Sequence, residues 1–459
     1  MDKKKTDFTR GKIPSVILGM AVPLIAAQLV NVLYNIVDRI YIGHIPGIGG
    51  LALTGVGIAL PVITILSAFA GLFGQGGAPL FSIARGRDDP EEAGRILGNS
   101  LSMLLLSSLV LTAAAYLVAR PVLLGLGATE STIGYALDYL RIYLIGTPCV
   151  LLTLGMNPYI NAQGFARRGM GTVMLGAAAN IVLDPVFIFA LHMGVRGAAL
   201  ATVLSQLLSA VWCLTFLLGK RAVVPVRREY LALRGKIVGR IMSLGVTNFV
   251  VMATNSVIQG LANAQLGLYG GDLYVGAMTI VNALRTVFNE IIHGLSAGTQ
   301  PVLGFNYGAG AKGRVLEGIR FNSLLGLGIS AVVWVAFVVF PGPFVRIFTT
   351  EEELIAVAVR AVRIYFCGSC FMALQFAGQC VFQGLGRAKS AVTFSLLRKI
   401  IIVVPLMLLL PRWGLGADGV FWSEPISDLL GGGAAFITML LTVYRPIARE
   451  LREESVCKN

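Results

Sequence analysis

The stretch from Asn180 to Phe189, NIVLDPVFIF, places an amide, a carboxylate and a proline in an otherwise apolar run. Asn180 and Asp184 are four residues apart, so a helix presents both side chains on one face. Pro185 has no amide hydrogen and its ring crowds the carbonyl group of Ile181, which loosens the backbone there. This combination is suited to binding a small cation or a proton. The plainer alternative is a proline kink, which a Ser or Thr would cap without the cost of a carboxylate.

Two other apolar segments of the same half carry polar residues at helical spacing. Asn31, Asn35 and Asp38 stand at i, i+4 and i+7 in LVNVLYNIVDRIYIG, and Thr202 and Gln206 repeat the four-residue step. Convergence of the three helices would form one pocket. The predicted members of this pocket are Asp38, Asn180, Asp184 and Thr202, with Asn35 beside them.

The predicted pocket has the chemistry of a site for a coupling ion. Two carboxylates in a low-dielectric environment cannot both ionise at low cost, so they titrate as one coupled unit. Binding a proton or Na⁺ would relieve the repulsion between them. The choice between these two ions stays open, and the Na⁺ ligands would come from Asp38, Asn180, Asp184 and Thr202.

The elements that must hold these residues are membrane helices. Of the 459 residues 56% are hydrophobic and 13% are charged, whereas roughly a quarter are charged in soluble proteins. Apolar runs of about 20 residues, each long enough to cross a bilayer, recur along the whole chain. They predict about twelve helices, of which Ile237–Leu266 and Val275–Phe305 are two. The predicted fold is an all-α polytopic membrane protein.

The distribution of basic residues predicts the orientation in the membrane. The formal net charge is +14, and most basic residues fall in alternate loops. By the positive-inside rule these loops and both termini are cytoplasmic. The basic tail with Lys3, Lys4 and Lys5 runs into the first helix without a cleavage site, so that helix is retained. Because the charge is divided among separate segments, a nucleic-acid partner is not predicted.

The sequence repeats itself at a spacing that spans six helices. Arg141–Gly146, RIYLIG, recurs as Arg363–Gly368, RIYFCG, and Gln163-Gly164 recurs as Gln383-Gly384. Two halves in the same order are parallel repeats, which form transporter lobes that rock about a central cavity. The predicted divisions are an amino-terminal lobe of residues 1–218, a basic cytoplasmic linker of residues 219–236 and a carboxy-terminal lobe of residues 237–459.

The second half keeps the amides of the first half but not its acids. Asn255 and Gln259 align with the amides of the first polar stripe, whereas Val404 aligns with Asp184. Two roles stay open for the acids of the second half: they line a cavity for cationic substrates, or they pair internally with arginines. The ionisable groups concerned are Arg285, Glu290, Arg398, Glu424 and Asp428. The predicted cavity residues are Asn31, Gln206, Asn255, Gln259, Glu290, Arg398 and Glu424.

These features resemble the multidrug and toxic compound extrusion (MATE) transporters over nearly the whole chain. The residues that carry the likeness are Pro23, Asn35, Asp38, Gln163, Gly164, Asn180, Asp184, Pro185, Gly197 to Ala199, Thr202 and Ser423 to Ile426. The resemblance implies an antiporter of the plasma membrane that exports small lipophilic cations against inward flow of H⁺ or Na⁺. It places the cation site at Asp38, Asn180, Asp184 and Thr202. Pro23 and Pro185 are the expected conformational residues.

Other functions are less favoured by the sequence. The main alternative is a lipid-linked oligosaccharide flippase, which would hold pyrophosphate with Arg285, Arg398 and Lys399. An enzyme would need a clustered nucleophile and base or metal ligands, which three scattered histidines do not supply. The chain has no Walker motif for transport driven by ATP. We expect a monomer without a cofactor.

Overall fold

The structure is a computed structural model that describes residues 6–456, apart from the side chains of residues 253 and 256. The predicted basic tail with Lys3 to Lys5 lies outside this range. Within the range the regular structure is helical. The helices of the first half are α1 (Ile13–Gly43), α2 (Gly49–Gly86), α3 (Pro90–Gly125), α4 (Ile133–Ala162), α5 (Ala166–Pro185) and α6 (Gly194–Leu217).

The second half begins with α7 (Gly235–Gly308), whose 74 residues would measure about 110 Å as one straight helix. Gly271 interrupts this helix with φ of 68° and ψ of −167°, angles that glycine adopts without steric cost. The break falls between the predicted helices Ile237–Leu266 and Val275–Phe305. The remaining helices are α8 (Lys312–Trp334), α9 (Pro341–Val345), α10 (Glu352–Phe366), α11 (Ser369–Gly384), α12 (Ala388–Leu396), α13 (Val404–Leu409), α14 (Gly416–Ser427), α15 (Gly433–Met439) and α16 (Arg445–Val456).

Several helices continue through wider π-helical turns instead of ending. One π turn, Val186–Ala190, follows Pro185 at the end of α5. The turn Leu397–Val403 joins α12 to α13, and Asp428–Gly432 joins α14 to α15. Pro185 accounts for the first of these, because it cannot donate a helical hydrogen bond and its ring displaces the preceding turn.

The described helices are long and apolar enough for a polytopic membrane protein. Ten helical stretches can each cross a bilayer by length and composition, and the pair α10–α11, bent by 45°, makes an eleventh. The helix α7, which is broken at Gly271, counts once among these eleven spans. Counting its two arms separately gives the predicted twelve. The prediction of an all-α polytopic fold is confirmed.

The surface of the spans carries large apolar side chains. Leu117, Ile145 and Val332 are 84%, 70% and 70% exposed. Exposure of this kind is unfavourable in water and is the normal state of a side chain that faces lipid. The described residues therefore have the surface of a protein embedded in a bilayer.

The chain folds into two compact units, and both division points lie inside helices. The first unit consists mainly of Val22–Phe249. The second consists of Phe8–Ala21 and of the chain from Val250 onward. The beginning of α1 therefore belongs to the second unit, and the beginning of α7 belongs to the first. The lobe boundaries near residues 218 and 237 describe the sequence repeat, and they stay a prediction.

Close helix packing in the first unit fixes the position of α4. A Cβ atom on Gly74 of α2 would lie 2.4 Å from the carbonyl oxygen of Gly155 of α4, so only glycine permits this approach. The buried hydroxyl groups of Tyr159 on α4 and Ser100 on α3 form a hydrogen bond of 2.5 Å. Helix α4 also packs along α6, which brings its polar side chains next to the predicted pocket.

Candidate functional site

Three of the predicted pocket residues meet where α5 packs on α6. Asn180 and Asp184 lie one turn apart on the buried face of α5, and Thr202 faces them from α6; their exposed fractions are 1%, 0% and 5%. The side-chain amide of Asn180 donates to Asp184 Oδ1 at 3.2 Å and to Thr202 Oγ1 at 3.4 Å. The four-residue spacing in the sequence thus corresponds to a real contact.

Two glycines allow α6 to begin close to the end of α5. Gly194 has a positive φ of 57°, which lets the chain reverse direction after the π turn. A Cβ atom on Gly197 would lie 2.8 Å from the carbonyl oxygen of Phe187, so the two backbones are in contact there. As a result the next turn of α6 places Thr202 against α5.

Asp38 of α1 completes the predicted group. Its carboxyl group lies close enough to that of Asp184 to share a hydrogen bond. Such a bond between two carboxyl groups requires that one of them carry a proton, because two carboxylates offer only acceptors. The structure thus brings together all four residues of the predicted cation site: Asp38, Asn180, Asp184 and Thr202.

The group has unused oxygen atoms, and no cation of residues 6–456 forms a salt bridge with it. Asp38 Oδ1, Asn180 Oδ1 and Asp184 Oδ2 are buried without a hydrogen-bond partner. Among residues 6–456 neither carboxylate forms a salt bridge, and the nearest cation in sequence, Arg39, is exposed. Burying acceptor oxygens without a donor is unfavourable. A proton or a small cation would supply the missing partner.

Three tyrosines surround the carboxyl group pair, and they were not predicted. Tyr139 of α4 hydrogen-bonds to Thr202 and lies near Asp38. Its ring stacks on that of Tyr143, with centroids 6.3 Å apart, and Tyr34 of α1 lies near both acids. One signal that could have found Tyr143 is its place in the repeated motif RIYLIG, which also indicates the repeat.

The other predicted residues of α1 and α6 lie outside this group of four. The side chain of Asn35 is exposed and donates to the carbonyl oxygen of Asn31 at 2.6 Å, so it bonds within its own helix. The side-chain oxygen of Gln206 is buried without a partner. Pro23 is half-buried and lies two residues after Ala21, where the part of α1 that belongs to the second unit ends.

The predicted cavity residues of the second unit have different surroundings. Asn255 is half-buried and its side-chain oxygen has no partner, whereas Gln259 is exposed. Glu290 is half-buried, and the imidazole of His293 is close enough for the two groups to interact electrostatically.

Arg398 and Glu424 are buried together in the second unit. Arg398 pairs with Asp428 and lies 3.8 Å from Glu424, and Lys399 Nζ lies 3.0 Å from Glu424 Oε1. Of the two roles left open by the sequence, internal pairing is the one that the structure shows for Glu424 and Asp428. The carboxylates interact with cations of the protein itself.

Comparison with known proteins identifies the family. The family model MatE matches residues 23–186 and 248–409. The chain belongs to the MatE family. The two matched stretches repeat one domain, as the spacing of the sequence motifs predicted.

Relatives of this MatE protein align over nearly their whole length, and a solved structure has the same fold. It is 24% identical to the multidrug export protein MepA of Staphylococcus haemolyticus (strain JCSC1435) over 441 residues, covering 96% of this chain and 95% of the relative. MepA of Staphylococcus aureus (strain MSSA476) is 23% identical, with 96% of each chain covered. A multidrug resistance MATE transporter solved in an outward-facing conformation superposes with a TM-score of 0.90 at 22% identity, covering 98% and 100%. The MatE protein is therefore a multi-pass membrane protein of a multidrug efflux transporter family.

Proposed function

We propose that this MatE protein is a secondary active antiporter that exports small lipophilic organic cations in exchange for H⁺ or Na⁺ by alternating access. The carboxyl group pair of Asp38 and Asp184 is the coupling site in this proposal. The observation that carries it is an acid pair whose unused oxygens are buried and which forms no salt bridge within residues 6–456. Two negative charges about 4 Å apart repel by about 4 kcal/mol at an effective dielectric constant of about 20. An incoming cation removes that repulsion.

The geometry accommodates either coupling ion. A proton shared by Asp38 and Asp184 satisfies both carboxyl groups at once. A Na⁺ ion would need several oxygen ligands, and a half-turn of the Asn180 amide would direct its unpartnered oxygen toward Asp184 and Thr202. In its present orientation the amide donates to both, so binding of Na⁺ would require this half-turn, whereas binding of a proton would not.

Pro23 gives α1 a place to change shape. Its ring removes the helical hydrogen bond to the carbonyl of Gly19, and that bond lies where the helix passes from one compact unit to the other. Helices bend most readily at such positions. We propose that binding of an ion at Asp38, four turns further along α1, changes this bend and so biases the conformational equilibrium.

The remaining parts of the proposal concern substrate, orientation and assembly. Glu290 is a half-buried acid on an arm of α7, and a charge within a membrane helix marks a functional position by default. We propose that it complements the positive charge of the exported molecule. Both termini are cytoplasmic in this proposal, because loops rich in Lys and Arg alternate with loops that contain few of them. The protein acts as a monomer in this proposal.

The flippase alternative receives less support. It would require Arg398 and Lys399 to be available to a pyrophosphate group, whereas both cations are engaged by Glu424 and Asp428. A doubly or triply charged ligand would have to displace those carboxylates. The antiporter is therefore the better supported function.

The decisive experiment measures export by the purified protein in proteoliposomes. A fluorescent lipophilic cation such as ethidium is followed while a pH gradient or a Na⁺ gradient is imposed separately. We expect transport under one of the two gradients and its loss when that gradient is dissipated. Dye export by the wild type that is unaffected by either gradient would contradict the antiport mechanism. Flipping of a pyrophosphate lipid without dye transport would support the flippase instead.

A further inference from the structure

A cluster of five charged side chains lies in the second unit and shares no residue with the proposed coupling site; four of them are buried and Arg285 is half-buried. Lys399, Arg398, Glu424 and Asp428 have exposed fractions of 3% to 5%. Arg285 lies close enough to Glu424 for their charges to interact, and its guanidinium group lies over the ring of Tyr365, 5.9 Å from the centroid. We call these five residues the charge cluster.

The charges of this cluster do not balance. It contains three cations, Arg285, Arg398 and Lys399, and two carboxylates, Glu424 and Asp428. Glu290 is not counted in the cluster, because it follows Arg285 by five residues, about 140° around the helix, and it interacts with His293. The four buried members balance as two cations and two acids, and the half-buried Arg285 adds one positive charge beside them, where an uncompensated charge is unfavourable.

The cluster also has an unused hydrogen-bond donor. The terminal nitrogens of Arg398 face Asp428 and Glu424, but its Nε is buried without an acceptor. The Arg398 stem lies on Gly431, where a Cβ atom would come within 2.9 Å of its Cγ. The hydroxyl of Ser427 donates to the Arg398 carbonyl at 3.3 Å. The guanidinium group is thus held in place with one N–H unsatisfied.

We propose that the charge cluster binds one small monovalent anion, either inorganic chloride or the carboxylate group of an organic molecule. A single negative charge cancels the excess, and an acceptor at Arg398 Nε satisfies the orphan donor. A pyrophosphate carries more charge than the cluster lacks. This inference concerns residues that the proposed coupling site does not use, and it holds whether or not the protein is an antiporter.

The competing explanation is that Lys399 has lost its proton, which would also balance the charges. The two explanations differ in the effect of removing charges. If an anion is bound, Lys399→Met leaves two cations and two acids, so the charges balance and anion binding weakens. Glu424→Gln raises the excess to two positive charges and strengthens anion binding. If Lys399 is neutral, wild-type protein binds no anion.

The test is equilibrium binding of radioactive chloride to the purified full-length protein in detergent. We expect about one chloride per chain in the wild type, an affinity at least about tenfold weaker in Lys399→Met, and a tighter affinity in Glu424→Gln. Arg360→Met is the matched control, because Arg360 is an exposed cation of the same unit that pairs with Asp418. Its chloride affinity should equal that of the wild type.

Two results would overturn the proposal: no bound chloride in the wild type, or the same affinity in wild type and Lys399→Met. Thermal unfolding verifies that each variant is folded. If Lys399→Met is not folded, the chloride affinity of Glu424→Gln is the test: a tighter affinity than wild type supports the proposal, and a weaker one contradicts it. The source of the anion is tested with an aromatic carboxylate dye and its uncharged methyl ester. Displacement of chloride by the acid but not by the ester indicates an organic carboxylate, and displacement by neither indicates inorganic chloride.

Discussion

Two helix pairs in this molecule share a backbone plan and differ in charge. In the first unit Gly194 and Gly197 seat α6 against the end of α5. In the second unit the corresponding pair is α13 and α14. Gly416 has a φ of 54°, close to the 57° of Gly194. A Cβ atom on Gly419 would lie 2.7 Å from the backbone of Pro411, just as a Cβ atom on Gly197 would lie 2.8 Å from the backbone of Phe187. These glycines are 222 residues apart in both cases.

The same spacing relates the polar residues of the two pairs. Thr202 corresponds to Glu424, and Gln206 corresponds to Asp428. The first pair holds Asp184, which meets a second acid from α1, whereas the second pair holds two cations and two acids, to which Arg285 of α7 adds a third cation. The shared backbone determines where the polar groups converge. The side chains then determine whether the partner of an acid is a cation of the protein, as for Glu424, or an ion bound from solution, as proposed for Asp184. The predictions below test this difference.

The largest effect is expected at the first pair. Asp184→Asn and Asp38→Asn should each abolish gradient-driven dye export, because a single remaining acid has no repulsion for the coupling ion to relieve. Folding should be unaffected, since neither acid has an internal cation to lose. The measurement is dye transport in proteoliposomes.

The matched control for these variants is Asp138→Asn. Asp138 forms a half-exposed ion pair with Arg196 at 3.0 Å in the same unit, and such pairs contribute about 1 kcal/mol or less. Its transport should stay close to wild type. Near-normal export by Asp184→Asn would remove that residue from the coupling role.

The second pair should show the opposite response, a loss of stability. Asp428→Asn removes the closer partner of the buried Arg398 and leaves only Glu424 at 3.8 Å, which is expected to cost up to about 3–5 kcal/mol. Thermal unfolding in detergent should show a clearly lower midpoint than wild type. Asp418→Asn is the control, because its partner Arg360 is exposed and the change should cost about 1 kcal/mol or less. Equal midpoints for the two variants would mean that the buried pairs contribute no more than a surface pair.

A difference in pH response should separate the two units. Protons bind the Asp38–Asp184 pair as pH falls, and in the proposed mechanism this favours the state that releases the dye. Apparent dye affinity should therefore decrease on acidification, by up to about tenfold per pH unit for one competing proton. Fluorescence titration at several pH values measures this slope.

In that titration we expect some variants to change the pH dependence of dye binding and others to leave it unchanged. Asp184→Asn should flatten the pH dependence, and Glu424→Gln should keep it. Glu290→Gln should weaken dye binding at every pH, because the acid complements the charge of the dye without taking part in coupling. A flattened slope in Glu424→Gln would show that the second unit also takes up the competing proton.

The smallest effect is expected at the bend of α1. Pro23→Ala restores a helical hydrogen bond and should slow turnover by about three- to tenfold, a barrier change near 1 kcal/mol, with unchanged dye affinity. Pro148→Ala in α4 is the control, because that helix lies wholly within the first unit. Unchanged turnover in Pro23→Ala would make the proline a static kink.

Local sequence patterns predicted much of the fold and part of the site. Apolar run length gave the helices, motif spacing gave the repeat, and the four-residue step placed Asn180 beside Asp184. These features depend on a few neighbouring residues or on a fixed period. The approach of Asp38 to Asp184 was inferred from convergence of polar faces, and the structure places the two acids together.

Features that depend on contacts between distant segments were not predictable. Tyr139 looks like an ordinary apolar-face residue of α4, and only packing on α6 brings it to Thr202. The sequence left the role of Glu424 open, because the pairing with Lys399 depends on how α14 packs beside the preceding helix. The division of α1 between two units leaves no local pattern apart from Pro23.

That division has a consequence for biosynthesis. Arg314 donates hydrogen bonds to the carbonyl oxygens of Phe8 and Gly11, partners that lie 306 and 303 residues away in the chain, and Phe8 packs edge-on against Phe305 at 5.6 Å. At a translation rate of about 5–20 residues per second, the start of α1 leaves the ribosome about 15–60 s before these partners do. The start of α1 is thus made long before its partners in the second unit, and until they are made its Phe8 side chain stays available to chaperones and proteases.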